Sequence, residues 1–174
     1  PRRDAFVTVG TEPLGAVEDA SGAVEFRRED AERGAADLDV RTALNGNVDL
    51  LKYTPELDID RYADMLRDAD LDGLVIEGTG LGHVHTDLIP VVEELTDDGV
   101  VVAMTSQCLE GRVCDRVYDT GRDLLDAGVV EAGDTLPGTA KVKLMWALEH
   151  LDDPAAAMRR PLAGELQERS VPWT

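Results

Sequence analysis

Two polar loops hold the residues of this chain that could do chemistry: Gly78-Thr79-Gly80-Leu81-Gly82-His83 and Thr105-Ser106-Gln107-Cys108. The first offers glycines, whose backbone can approach a ligand closely, and a histidine, whose charge changes nearest neutral pH. The second sets a hydroxyl, an amide and a thiol directly after an apolar run. Tyr118 follows a short span later; it is either a phenol donor in a cleft or an aromatic packed beside a helix cap.

Each group has a plainer reading. The glycine cluster is GxGxG, not GxGxxG, and the next apolar run ends in Ala103-Met104, not in the acidic residue that would take a ribose hydroxyl. That speaks against a dinucleotide. A tight turn at Gly80 and Gly82 remains, as does a set of backbone N–H groups at a helix N-terminus facing a carboxylate or small anion. His83 and His85 flank Val84, so on a helix they point apart and make a poor metal pair; no metal site is expected. Ser106 and Gln107 sit where ligand contacts are expected in α/β sheets, although capping of a strand end explains them equally. Cys108 lacks the neighbouring His or Lys that would activate a nucleophile. Asp and Glu are too abundant for any pair to be singled out.

These loops need elements to hold them. Leu74–Glu77 and Val100–Met104 are β-branched apolar runs that read as buried strands. Between them Val84, Leu88, Val91, Val92 and Leu95 make a helical stripe, so the stretch is a βαβ unit whose two loops lie together at the carboxyl ends of the strands. Val48 to Tyr53 reads as a preceding strand, and Asp58-Ile59-Asp60 opens a helix through Asp68 with Ile59, Tyr62, Ala63 and Leu66 on its apolar face. Thr120 as N-cap with Asp123 resembles a capping box for a helix that stops at Gly128. Val129–Glu131 forms a short fourth strand. Pro137 begins a helix lined by Ala140, Leu144, Ala147, Leu148 and Leu151, and Pro154 and Pro161 punctuate a helical tail. Trp146 is expected in the core and Trp173 in a mobile tail.

Upstream, Ala23–Arg27 alternates after the Ser21-Gly22 turn signal, which predicts a hairpin, while 29–46 reads as surface connection. The expected architecture is therefore a small α/β three-layer sandwich of flavodoxin or Rossmann type, its mostly parallel sheet holding about four strands. It occupies 47–174, and 1–46 is a connector with the hairpin.

Composition narrows the partners. The formal net charge is −19, and the only lysines are Lys52, Lys141 and Lys143. Such a surface argues against autonomous nucleic-acid binding, whereas a salt-rich cytoplasm would screen its self-repulsion. With 43% hydrophobic residues the chain can still build a core. No stretch approaches a membrane span, and Pro1-Arg2-Arg3-Asp4 leads into no signal-like apolar region. Cys108 and Cys114 fit two reduced thiols.

Four blocks carry a resemblance: Ile76–His85 (IEGTGLGHVH), Met104–Val113 (MTSQCLEGRV), Val117–Val130 (VYDTGRDLLDAGVV) and Leu136–Leu148 (LPGTAKVKLMWAL). Together they resemble the C-terminal domain of the L-asparaginase family, and within it most closely the D subunits of archaeal glutamyl-tRNA(Gln) amidotransferases. RRDAF, residues 2–6, is similar to the segment joining the two asparaginase domains. The resemblance implies side-chain amide hydrolysis by a threonine nucleophile with a Thr-Lys-Asp group, all on an N-terminal catalytic domain. No TGGT-like or TDT-like segment occurs in this chain, so no catalytic residue is expected in it, and alone it is expected to be inactive. The resemblance further implies a homodimer with a second D subunit, an E subunit that uses ATP and Mg, and tRNA held only through the complex. His83 falls where asparaginases place an Asn that reaches substrate across the dimer, and Tyr118 where they place a Glu or Tyr. An L-asparaginase C-terminal domain proper, or a flavodoxin-like ligand-binding or interaction module without chemistry, are the alternatives.

Overall fold

The computed structural model describes residues 6–18, 20–28 and 37–168. Arg2–Ala5 of RRDAF, residues 29–36 of the connector and Trp173 lie outside the described residues.

The hairpin is present. β1 (Gly15–Val17) and β2 (Val24–Phe26) pair antiparallel, with Gly15 opposite Phe26. Residues 37–46 then run, exposed except at the half-buried Asn45, to β3 (Val48–Lys52). The remainder alternates strand and helix: α1 (Ile59–Asp68), β4 (Gly73–Gly78), α2 (Ile89–Asp97), β5 (Val101–Ser106), α3 (Asp119–Asp126), β6 (Val130–Glu131), α4 (Pro137–His150) and α5 (Pro154–Met158).

β3, β4, β5 and β6 are hydrogen-bonded in that order and all run parallel. The chain therefore steps across the sheet in one direction. With right-handed crossovers such stepping puts all the connecting helices on one face. The core divides accordingly. Leu74, Ile76, Val102 and Met104 join Ala63, Leu66, Val91, Val92, Leu95 and Leu124 from α1, α2 and α3. The alternate residues Val75, Ala103 and Val130 point the other way, against Ala140 and Leu144 of α4 and Met158 of α5. The twofold side-chain period of a strand buried on both faces produces this three-layer sandwich.

Asp58 caps α1, its Oδ1 accepting from the Arg61 N–H at 3.1 Å. Pro137 and Pro154 each open a helix, and Asp153 Oδ1 caps α5 by accepting from Ala156 N–H at 2.8 Å.

Three expectations are corrected. Thr120 is not the N-cap of α3; Tyr118 holds that position in extended conformation and makes no side-chain cap bond. The glycine loop does not open a helix directly, because Val84 and His85 intervene and a 3₁₀ turn, Thr86–Leu88, leads into α2. Trp146 is only half-buried, at the outer side of α4. Its indole N–H donates to Arg41 O at 3.1 Å, and His150 Nε2 lies 3.0 Å from Ala43 O. The indole's polar handle thus fastens the connector to α4, which a core position could not have satisfied. Among the described residues no helix is long and apolar enough to cross a membrane.

Candidate functional site

β4 and β5 end in register, Gly78 opposite Ser106, so the two polar loops leave the sheet side by side. The strand order does not reverse among these four strands, so no crevice opens where helices splay apart. The site is instead built by loops folding onto one another.

Residues 79–83 close a tight turn. Thr79 and His83 form an antiparallel bridge, with Thr79 N–H donating to His83 O at 2.8 Å and His83 N–H returning to Thr79 O at 2.8 Å. Gly82 N–H also donates to Thr79 O, at 3.0 Å. Three of the N–H groups that the anion reading needed are therefore committed inside the turn, which favours the structural reading of the glycines. Gly82 has φ +105° and a Cβ there would fall 2.9 Å from both Met104 Cγ and Val113 Cγ1, so only glycine fits.

The second loop braces the first. Ser106 Oγ donates to Gly80 O at 2.5 Å and accepts from Cys108 N–H at 3.1 Å. The Gln107 amide donates to Tyr53 O and to Glu77 O, tying the ends of β3 and β4 together. Ser106, Gln107 and Gly80 thus hold the loops to each other. Cys108 and Cys114 are free thiols.

His83 and Tyr118, from different loops, are brought together. Their rings meet edge to face, centroids 5.0 Å apart at 70°. His83 Nε2 is buried without a hydrogen-bond partner among the described residues, and Tyr118 is 57% exposed. His85 faces elsewhere: its Nδ1 accepts from Asp87 N–H at 3.3 Å and lies 3.4 Å from Asp87 Oδ2. The two histidines do diverge, although no helix separates them.

Against Gly82, in the turn that carries His83, lies Asp115, which its residue type and spacing did not single out. It is fully buried, and neither carboxyl oxygen has a partner among the described residues. Burial in an apolar surround, and then the neighbouring Glu131 carboxylate, push it up to about 7. On the opposite side of the sheet Lys143 was missed as well: it is buried, and its Nζ lies 2.6 Å from Glu165 Oε1. The spacing from Ala140 to Leu144 was legible as an apolar face, but a lysine within it gave no sign of its partner more than twenty residues away.

Comparison with known proteins shows the family to which this fold belongs. The family model of the glutaminase/asparaginase C-terminal domain matches residues 47–160, and the chain belongs to that family. Over 172 residues and 99% of its length, the chain is 65% identical to the glutamyl-tRNA(Gln) amidotransferase D subunit of Haloquadratum walsbyi, covering 39% of that protein. It is 59% identical to the protein of the same name from Halobacterium salinarum, with 99% of the chain and 42% of the relative covered. Among solved structures, the thermostable L-asparaginase from Thermococcus kodakarensis superposes with a TM-score of 0.81 at 32% identity, covering 94% of this chain and 50% of that one. The chain spans about two-fifths of the length of the curated relatives it matches.

Proposed function

We propose that this chain is the C-terminal domain of an ammonia-releasing D-type subunit of a glutamyl-tRNA(Gln) amidotransferase. In that assembly glutamine or asparagine would be hydrolysed on a catalytic domain outside these 174 residues. The ammonia would convert Glu-tRNA(Gln) to Gln-tRNA(Gln) on an E-type subunit, which would hold ATP and Mg, with tRNA bound through the complex. The task of this domain is to close the active site of a second D subunit in a homodimer. A salt-rich cytoplasm is the setting that the acidic surface favours.

The observation that carries the reading is the His83–Tyr118 pair. A buried imidazole nitrogen without a partner is unfavourable unless something supplies one. Here it lies beside an exposed phenol at the carboxyl edge of the sheet. The ring nitrogen can donate or accept according to tautomer, and the phenol can do both. Together they suit the amino or carboxylate end of an amino-acid amide presented by a neighbouring subunit. Ser106, Gln107, Gly80 and Gly82 support the pair by holding its loops.

Losing one such hydrogen bond costs about 0.5–1.5 kcal/mol, or about 1.5–3 if the substrate group is charged. His83→Ala and Tyr118→Phe in the full-length subunit should therefore lower kcat/KM for glutamine by about 3- to 100-fold, with dimerisation unchanged. Wild-type kinetics in both variants would assign the pair to packing. The 174-residue chain alone should fold and hydrolyse neither amide. An L-asparaginase proper, the reading that the 32% identical structure keeps open, would be as active without an E-type subunit and Glu-tRNA(Gln) as with them.

A further inference from the structure

Asp115 is a buried ionisable group that the proposed function leaves without a task. Its neighbours define where it sits. A Cβ on Gly82 would fall 3.1 Å from Asp115 Oδ1, so the carboxyl lies against the glycine that precedes His83. The adjoining Cys114 N–H donates to Leu81 O at 2.9 Å, stitching this segment to the same turn. From the other side Glu131 Oε1 accepts the Asp115 N–H at 3.0 Å, which ties the segment to β6. In the first turn of α3, Gly121 packs directly on the Asp115 backbone, too closely for any side chain. Tyr118 lies between Asp115 and that glycine in the chain. One residue therefore touches both the turn that ends in His83 and the helix start that presents Tyr118.

A carboxyl is a poor choice for filling that space. Burying it without hydrogen bonds is unfavourable relative to an apolar group of similar volume. Groups of this kind cluster at functional sites, where the surrounding structure holds an arrangement that packing alone would not select.

We propose that Asp115 is a positioning residue for the His83–Tyr118 pair: its side chain sets the spacing between the glycine turn that carries His83 and the segment that ends in Tyr118. The functional part of this proposal rests on the reading of those two side chains as substrate-facing, and the test separates the two claims.

The first measurement follows the imidazole protons of His83, His85 and His150 by NMR in the full-length subunit. The Tyr118 ring, steeply inclined to the imidazole with centroids 5.0 Å apart, shifts the His83 resonances. Asp115→Ala should move them toward their positions in a Tyr118→Leu variant and leave His85 and His150 in place. Asp115→Asn, which keeps the shape and a neutral polar group, should restore them. Should Asp115→Ala not fold, Asp115→Ser carries the same expectation. The second measurement is glutamine kinetics in the full-length subunit. Asp115→Ala should raise KM by about 2- to 10-fold with kcat changed less than about twofold, the loss of one hydrogen bond's worth of alignment. In a His83→Ala/Tyr118→Leu background, Asp115→Ala should have no further effect, because a residue acting through the pair is silent without it. Unmoved His83 resonances, or kinetic losses that add in full to those of the pair, overturn the proposal. Moved resonances with wild-type kinetics in every variant, His83→Ala included, would sustain the positioning and sink the substrate-facing reading.

Discussion

Replacing Lys143 by methionine tests how the layer of α4 is held. Lys143 Nζ lies 2.6 Å from Glu165 Oε1, the two side chains are only 4% and 12% exposed, and the ammonium also donates to Arg160 O at 2.6 Å. Glu165 accepts the N–H of Ala163 at 2.7 Å and of Leu162 at 3.0 Å, so the pair ties the chain after α5 onto α4. Burial pushes the Glu165 carboxyl up, but the Lys143 ammonium and the backbone N–H groups together outweigh it and hold the carboxyl down at about 2. At about 1.4 kcal/mol per pKa unit the shift corresponds to about 3 kcal/mol, which residual solvent contact reduces to about 2. Removing one partner of a buried pair costs about 3–5 kcal/mol, and the remaining backbone donors soften this for Glu165. Lys143→Met should therefore lose about 2–4 kcal/mol in urea unfolding followed by circular dichroism at about 2 M KCl, pH 7. A loss of about 3 kcal/mol lowers Tm by about 6–12 °C in a domain of this size. The sign with pH follows from the depressed native value. The contribution is fully present above the ordinary carboxylate value of 4.5 and is lost as pH falls toward 2, so the gap between wild type and variant should narrow over that window. Lys143→Met/Glu165→Leu should recover part of the loss, because no buried charge is left alone. A gap under about 0.5 kcal/mol at pH 7, or one that is the same at pH 7 and pH 2.5, would refute the reasoning.

Asp115 titrates in the opposite sense. Its native value is raised from 3.8 to about 7, so the folded chain binds more protons than the unfolded one in that window and stability falls as pH rises through it. Asp115→Asn should accordingly be more stable than wild type by about 1–3 kcal/mol at pH 8, with no difference at pH 3.5, as read by thermal unfolding. Gly82→Ala places a methyl against Met104 and Val113 at a positive φ and should destabilise by at least about 2 kcal/mol in the same assay. The net charge of −19 repels itself across a Debye length of about 30 Å at 0.01 M salt but only about 3 Å at 1 M. Tm should therefore climb steeply between dilute buffer and molar KCl, and a flat curve would contradict the reading of the surface.

The local sequence determined the elements of this protein. Leu74–Glu77 and Val100–Met104 read as buried strands because short apolar runs rich in valine and isoleucine leave no exposed face, and β4 and β5 form there. Ala63, Leu66, Val91, Val92 and Leu95 recur at helical spacing and do face the sheet. Gly80 and Gly82 marked a turn that their positive φ values then required. His83 and Tyr118 were legible as separate candidates from residue type and loop position, and only the resemblance to a family assigned them to one site. Tertiary structure decided the rest. The N-cap of α3 fell at Tyr118 and not at Thr120, in a helix whose first turn packs Gly121 on the Asp115 backbone, a contact between segments that no capping pattern encodes. Trp146 left the core because the connector offered a carbonyl for its N–H. Asp115 was invisible in a chain with 36 acidic residues, where no single carboxylate stands out, and Lys143, one of only three lysines, gave no sign that it would be buried. Burial distinguished them, and burial belongs to the packing of segments distant in sequence. Hydrophobic period is a property of neighbours along the chain, whereas the environment of a charge is set by whatever folds over it.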